Sequence, residues 1–156
     1  MNINIVCVGT IKERYLSEAI QEYSTRLSKW ASVKIIELAE EKLPKNYSDK
    51  DIENVKSKEG KRILDNIKGY TILMDISGKE LTSVELSEKI DTIKNTSSTI
   101  TFVIGGSYGV SDEVRNMANA RLSFSKMTFP HQLFRVMLLE QIYRAFTISN
   151  NVAYHK

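Results

Sequence analysis

A single cysteine, Cys7, and two histidines, His131 and His155, are all that this 156-residue chain holds of the residues that build disulfides and zinc sites. One thiol excludes an internal disulfide. Two histidines far apart, with no Cys/His cluster, give a transition metal nothing to hold on to, so no metal site is expected. Cys7 lies in an apolar run and reads as a buried strand residue. No apolar run approaches the ~20 residues of a membrane-spanning helix. The opening stretch MNINIVCVGTIKERY reaches charge quickly and lacks the basic segment that begins a secretory signal. These absences point to a cytoplasmic protein with no membrane partner.

Several catalytic signatures are missing too. The chain has no G-x-x-x-x-G-K-[ST] phosphate loop, and GGSYG (Gly105–Gly109) supplies only part of a G-x-G-x-x-G dinucleotide turn. It has no G-x-S-x-G elbow for a serine hydrolase. A ligand bound here would therefore be held by backbone and apolar contacts rather than by a phosphate cradle.

What is present is ordinary in amount but uneven in placement. Hydrophobic residues make up 42% and charged residues 26%, enough for one domain with a sizeable core over residues 1–156. Net charge is +3, yet residues 1–113 hold 16 basic and 18 acidic side chains. The last 43 residues hold six basic ones (Arg115, Arg121, Lys126, Arg135, Arg144 and Lys156) against Glu140 alone. Such asymmetry suits a C-terminal quarter that faces an anion, or simply a solvated basic face.

Strand-like and helix-like patterns alternate. Ile3–Gly9, Val33–Leu38, Tyr70–Ile76 and Thr99–Gly105 are β-branched apolar runs of strand length, and Arg121–Phe129 reads as a shorter fifth strand or an extended loop. Helical spacing links Leu16, Ala19, Ile20, Tyr23, Leu27 and Trp30, and a charged helix is expected over residues 48–67. Thr82 with Glu85 forms a capping box, and Ser111-Asp112-Glu113 opens a short helix. Alternation of this kind predicts an α/β fold with a mainly parallel sheet flanked by helices. The last helix, Gln132–Ile148, is apolar around nearly its whole circumference, which calls for burial on every side, either sandwiched within one domain or, as expected here, in a homodimer formed through it.

In such a sheet, ligands bind beyond the carboxyl ends of the strands. Three ends stand out: Asp75 followed by an expected turn at Ser77-Gly78-Lys79, the glycines Gly105, Gly106 and Gly109, and the end of the first strand. Their lack of a phosphate motif fits a cofactor such as S-adenosyl-L-methionine, whose methyl transfer needs alignment more than acid catalysis.

The combination of MDISGK, FVIGGSYG, LSFSKMTFPHQLFRVMLLEQIYRAF and the terminal AYHK resembles the RlmH family of ribosomal RNA large-subunit methyltransferases, within the SPOUT superfamily. The likeness runs from VCVG to the final lysine. It implies a homodimeric α/β fold with a C-terminal trefoil knot that binds S-adenosyl-L-methionine. The implied reaction is methylation of N3 of a pseudouridine in helix 69 of 23S rRNA, on the ribosome. Carried over residue by residue, the cofactor contacts are Met74, Gly106, Ser125, Lys126, Met127, Thr128, Phe129 and Pro130. Met74 stands where many members have leucine, a change of little consequence between apolar side chains of similar volume.

An imide N3 must lose its proton before it can attack a methyl group, so a proton acceptor and nearby positive charge are needed. The catalytic candidates are Tyr154 and His155 in the tail, with Arg135 and Arg144 as electrostatic or RNA-positioning groups. Either arginine could instead pair with Glu140 or cap carbonyls. His131 is expected to be structural, at the entrance of the last helix. A ribosome-associated RNA-binding protein without catalysis is the other reading, and affinity for S-adenosyl-L-methionine separates the two.

Overall fold

A computed structural model describes all residues, Met1–Lys156. Five strands, β1 (Asn2–Val8), β2 (Ser32–Leu38), β3 (Tyr70–Glu80), β4 (Thr99–Ile104) and β5 (Ala120–Ser123), form one sheet in the order β2-β1-β4-β3-β5 with every neighbouring pair parallel. Five helices connect them: α1 (Arg14–Leu27), α2 (Asp49–Leu64), α3 (Ser83–Lys94), α4 (Asp112–Met117) and, after the last strand, α5 (His131–Ser149).

Side-chain alternation sorts the strand residues between two cores. Ile3, Ile5, Cys7, Ile100 and Phe102 face α1, α3 and α5, whereas Val6, Val8, Leu73 and Val103 face α2 and α4. Cys7 is fully buried and unoxidised, and burial pushes its thiol up to about 11, so it behaves as a small hydrophobe. No helix is long and apolar enough to cross a membrane.

Local sequence explains the helix starts. Ser48 with Asp51 and Thr82 with Glu85 each form a reciprocal capping box, and the Ser111 hydroxyl accepts the N–H of Val114. Helix α5 has no side-chain cap and enters from Pro130, one residue before the first turn. Its anchorage comes from packing. Leu138, Leu139, Ile142 and Phe146 are buried, each contributing roughly 1.5–3 kcal/mol by area removed from water.

Four expectations change. The first helix ends at Leu27, so Trp30 lies beyond it and stacks on Phe146 at 6.2 Å. Helix α2 stops at Leu64, three residues early. The fifth strand is only four residues, because pairing with β3 ends at Ser123. The turn at Ser77-Gly78-Lys79 is an arch within β3, since Met74 and Lys79 both pair with Leu122 and four residues loop out between them.

Candidate functional site

The arch of β3, the glycine turn after β4 and the segment after β5 converge on one cavity of about 330 Å³, within the usual range for small-ligand pockets. Met74, Asp75 and Ile76 come from the arch, Gly105, Gly106 and Gly109 from the turn, and Ser123–Ser125 with Met127–Phe129 from the segment. Helices α4 and α5 close it with Arg115, His131 and Phe134. Phe134 in turn packs on Phe124 and Phe129, at 4.9 and 6.2 Å between ring centroids, so the first turns of α5 brace the loop that precedes them.

Each wall has a local cause. Gly109 adopts φ +83°, where a side chain would be strained, and its N–H closes the turn on the Gly106 carbonyl at 3.0 Å. A Cβ at Gly106 would sit 2.5 Å from Oε2 of the buried Glu59. Ser125 accepts the N–H of Met127 at 3.0 Å, and its carbonyl accepts the Ser123 hydroxyl at 2.9 Å, which folds the segment back on itself.

The charged pair of the cavity is Asp75 and Arg115, 3.5 Å apart. Burial pushes the Asp75 carboxyl up. The N–H and hydroxyl of Ser77, both 2.9 Å from Oδ1, together with Arg115 and Arg121, more than offset that and hold it below the usual carboxylate range. Asp75 therefore stays ionised, and Arg115 balances it. Sequence reasoning nominates neither as a contact. Asp75 reads only as a strand-end acid, and nothing in a six-residue helix marks Arg115.

Of the eight residues nominated for cofactor contact, Met74, Gly106, Ser125, Met127, Thr128 and Phe129 line the cavity, while Lys126 does not. Pro130 lines a neighbouring cleft, together with Gly106, His131 and Arg135. The catalytic candidates divide into two places. Arg135 is wholly buried, donating from Nη2 to the carbonyls of Val8 (3.2 Å) and Gly9 (2.8 Å), with Nη1 3.6 Å from Glu37. It acts here as a carbonyl clamp between α5 and β1. Arg144, Tyr154 and His155 gather further along α5. Arg144 pairs with Glu140 at 2.5 Å, lies 4.7 Å over the Tyr154 ring and faces His155 Nδ1 at 3.4 Å. Tyr154 donates to Glu140 at 3.0 Å; burial first, then that bond, pushes its phenol up to about 12. At a rise of 1.5 Å per residue, Glu140 and Arg144 stand roughly 14–20 Å along the helix from His131. The tail thus docks on α5 beyond Phe134, the last helix residue to line the cavity.

A second, apolar groove adjoins the first. It shares Leu122, Phe124 and Phe129 with the cavity and runs along α5 past Val136, Met137 and Glu140. Helix α5 is accordingly buried on one side and partly bare on the other, with Leu133 41% exposed.

The architecture defines a class: a parallel α/β protein with a cavity among the loops beyond its strand ends and no cluster of metal-ligating side chains. Comparison narrows it. The family model described as "Predicted SPOUT methyltransferase" matches residues 1–155. Ribosomal RNA large subunit methyltransferase H of Clostridium botulinum (strain Kyoto / Type A2) is 56% identical, with both chains fully covered. Ribosomal RNA large subunit methyltransferase H 1 of Clostridium perfringens (strain SM101 / Type A) is 55% identical over the same span. A solved structure from Haemophilus influenzae Rd KW20, described as a probable methylase family protein, covers 99% of this chain and 70% of its own at TM-score 0.54 and 15% identity, a likeness of fold alone. The chain belongs to the SPOUT methyltransferases and, within them, to the family of ribosomal RNA large subunit methyltransferase H.

Proposed function

We propose that this chain is a single-domain enzyme that methylates large-subunit ribosomal RNA with S-adenosyl-L-methionine, at N3 of a pseudouridine in helix 69 of 23S rRNA, on assembled ribosomes in the cytoplasm. The observation that carries this is the convergence of three loops on one cavity, lined by six of the residues that the family likeness nominates. The lining suits the cofactor. Its walls are mostly apolar, which suits an adenine ring and the methylene arms of a sulfonium, and its one arginine is balanced by Asp75, so the sulfonium meets no unopposed cation. The same convergence fits a C-terminal segment threaded as a knot.

When bound, the cofactor supplies an electrophilic methyl group. The chain's own residues do the rest. The arch of β3 and the segment Ser125–Pro130 hold and orient the cofactor, and Phe134 stiffens that segment. The target N3 would have to give up its proton to a base for that methyl group to be accepted. His155 is the candidate base. Arg144, held charged chiefly by its bond to Glu140, is the candidate group for stabilising the imide anion. Tyr154 is a neutral donor at pH 7 and a positioning residue for both. Arg135 supports the site from within the fold.

A homodimer completes the site. The tail docks at Glu140 and Arg144, past the turns of α5 that line the cavity, and the apolar groove beside that cavity is open along the same helix. A second copy seated there covers the bare side of α5 and provides a route for a tail to approach the cofactor.

Methyl incorporation into ribosomes that lack the modification, followed by mapping of the modified base, tests the reading. Gly106→Val should abolish cofactor binding in calorimetry. His155→Ala should bind cofactor within about twofold of wild type and lose most turnover. A wild-type chain without affinity for S-adenosyl-L-methionine would overturn the enzyme reading and leave an RNA-binding protein.

A further inference from the structure

Two tyrosines stand in the open beside the cavity, and no step of the proposed reaction uses their side chains. Tyr108 lies within the turn Gly106–Gly109, whose glycines line the cavity, and Tyr47 lies in the loop between β2 and α2. Their rings meet edge to face, with centroids 6.2 Å apart and planes at 66°, while 51% of Tyr47 and 42% of Tyr108 remain exposed. Phenol rings half in water and paired across two loops offer flat faces on which a further ring can stack.

The surroundings name the chemistry. Lys42, Lys45 and Lys50 flank Tyr47, all exposed, and none makes an ion pair or a hydrogen bond. Of the acids nearby, Asp49 is exposed and Glu40 lies 3.5 Å from the Ser107 hydroxyl, beside Tyr108, while the other two have partners. Glu41 is paired with Arg62 and lies 4.0 Å from Lys58, and Asp51 caps α2. The base of the loop is pinned, because Arg62 donates to the Ala39 carbonyl at 2.8 Å and Glu59 accepts the N–H of Glu41 at 3.0 Å. Fixed aromatic faces amid unpaired lysines are the combination that grips single-stranded nucleic acid: rings for bases, ammonium groups for phosphates. Both loops follow carboxyl ends of parallel strands, β2 and β4, so the surface lies on the same sheet edge as the cavity.

We infer that Tyr47 and Tyr108 form a stacking platform for an unpaired RNA base next to the methylated nucleotide, with Lys42, Lys45 and Lys50 holding the adjoining phosphates. This rests on the reading of the protein as an RNA methyltransferase and adds a recognition surface to it. Bound there, the strand is anchored beside the cofactor before the target base enters.

The test uses the full-length chain and large ribosomal subunits that lack the modification. Tyr47→Ala/Tyr108→Ala should raise KM for subunits about tenfold or more, while kcat and cofactor affinity stay within twofold. Tyr47→Phe/Tyr108→Phe, which keeps the rings, should behave as wild type. Replacing the three lysines by glutamine should flatten the salt dependence of subunit binding by about one unit of slope for each phosphate no longer neutralised. An unchanged KM overturns the platform. So does a matching loss of cofactor affinity, which would make the pair a lid. Weaker binding with an unaltered salt slope would assign the surface to a ribosomal protein instead. Failure of the wild-type chain to methylate subunits is a separate result, and it sinks the parent reading rather than this one.

Discussion

The guanidinium of Arg135 donates to the backbone carbonyl of Gly9 at 2.8 Å, joining the first turns of α5 to the carboxyl end of β1 across 126 residues of sequence. A second bond to Val8 makes the link two-pronged, and no part of the side chain reaches water. Arg135→Met should remove both bonds and leave two carbonyls without donors, costing about 2–3 kcal/mol. A melting temperature lower by roughly 5–10 °C would follow. Arg135→Lys cannot reproduce the fork and should recover only part of the loss. A melting curve identical to wild type would show that the clamp contributes nothing.

Glu59 and Gly106 should behave as a coupled pair. Gly106→Ala drives a methyl group towards Oε2 of a carboxylate that is 3% exposed and held by the Glu41 N–H. The alanine variant should lose cofactor affinity by about tenfold. Adding Glu59→Ala should cost less than the sum of the single changes, with a coupling of about 0.5–3 kcal/mol in denaturant titrations. Strict additivity would place the two in separate environments.

The pH dependence of Glu59 has a defined sign. Burial, the largest influence, raises its pKa above the ordinary 4.5, and the bond from Glu41 only partly offsets that. Folding therefore favours the protonated acid. Stability from this group is complete below pH 4.5 and is lost as pH rises through the raised value. Glu59→Gln should thus be more stable than wild type at pH 7, with the gain vanishing near pH 4.

Tyr154 titrates at the other extreme. Its phenol, ordinarily near 10, is pushed up to about 12 by burial and by the bond to Glu140. The tail's docking should persist up to pH 10 and be lost between pH 10 and 12. Absorbance titration of tyrosinate in wild type and Tyr154→Phe should differ by one late-ionising phenol. A difference centred at pH 10 would mean that the tail is undocked.

Association through α5 is open to direct measurement. Val136 and Met137 border the apolar groove and are only partly covered. Wild type should sediment as a dimer. Met137→Glu should sediment as a monomer with unchanged far-ultraviolet circular dichroism, and it should lose turnover, since a tail can no longer reach the cavity.

Much of this architecture is legible in the residues. The β-branched runs mark the strands because buried parallel strands admit little else, and Ser48, Thr82 and Ser111 mark helix starts through capping chemistry. The loops of the cavity are legible as glycine- and serine-rich strand ends. Three features are not. Ser77-Gly78-Lys79 reads as a turn, but a Cβ at Gly78 would lie 2.6 Å from the backbone nitrogen of Leu122; the glycine serves close strand approach. Arg135 reads equally as a group facing the substrate or as a carbonyl cap, since arginine is so seldom buried, and only tertiary packing reveals its partners on β1. The Asp75–Arg115 pair joins residues 40 positions apart on elements whose adjacency no local pattern encodes.

The arch of β3 carries a consequence for variation among such chains. Both of its feet, Met74 and Lys79, stand opposite one residue, Leu122. Lengthening or shortening the span between them would resize the mouth of the cavity while every other rung of the ladder kept its place. Ligand fit can thereby drift, or be re-engineered, without the sheet having to be rebuilt.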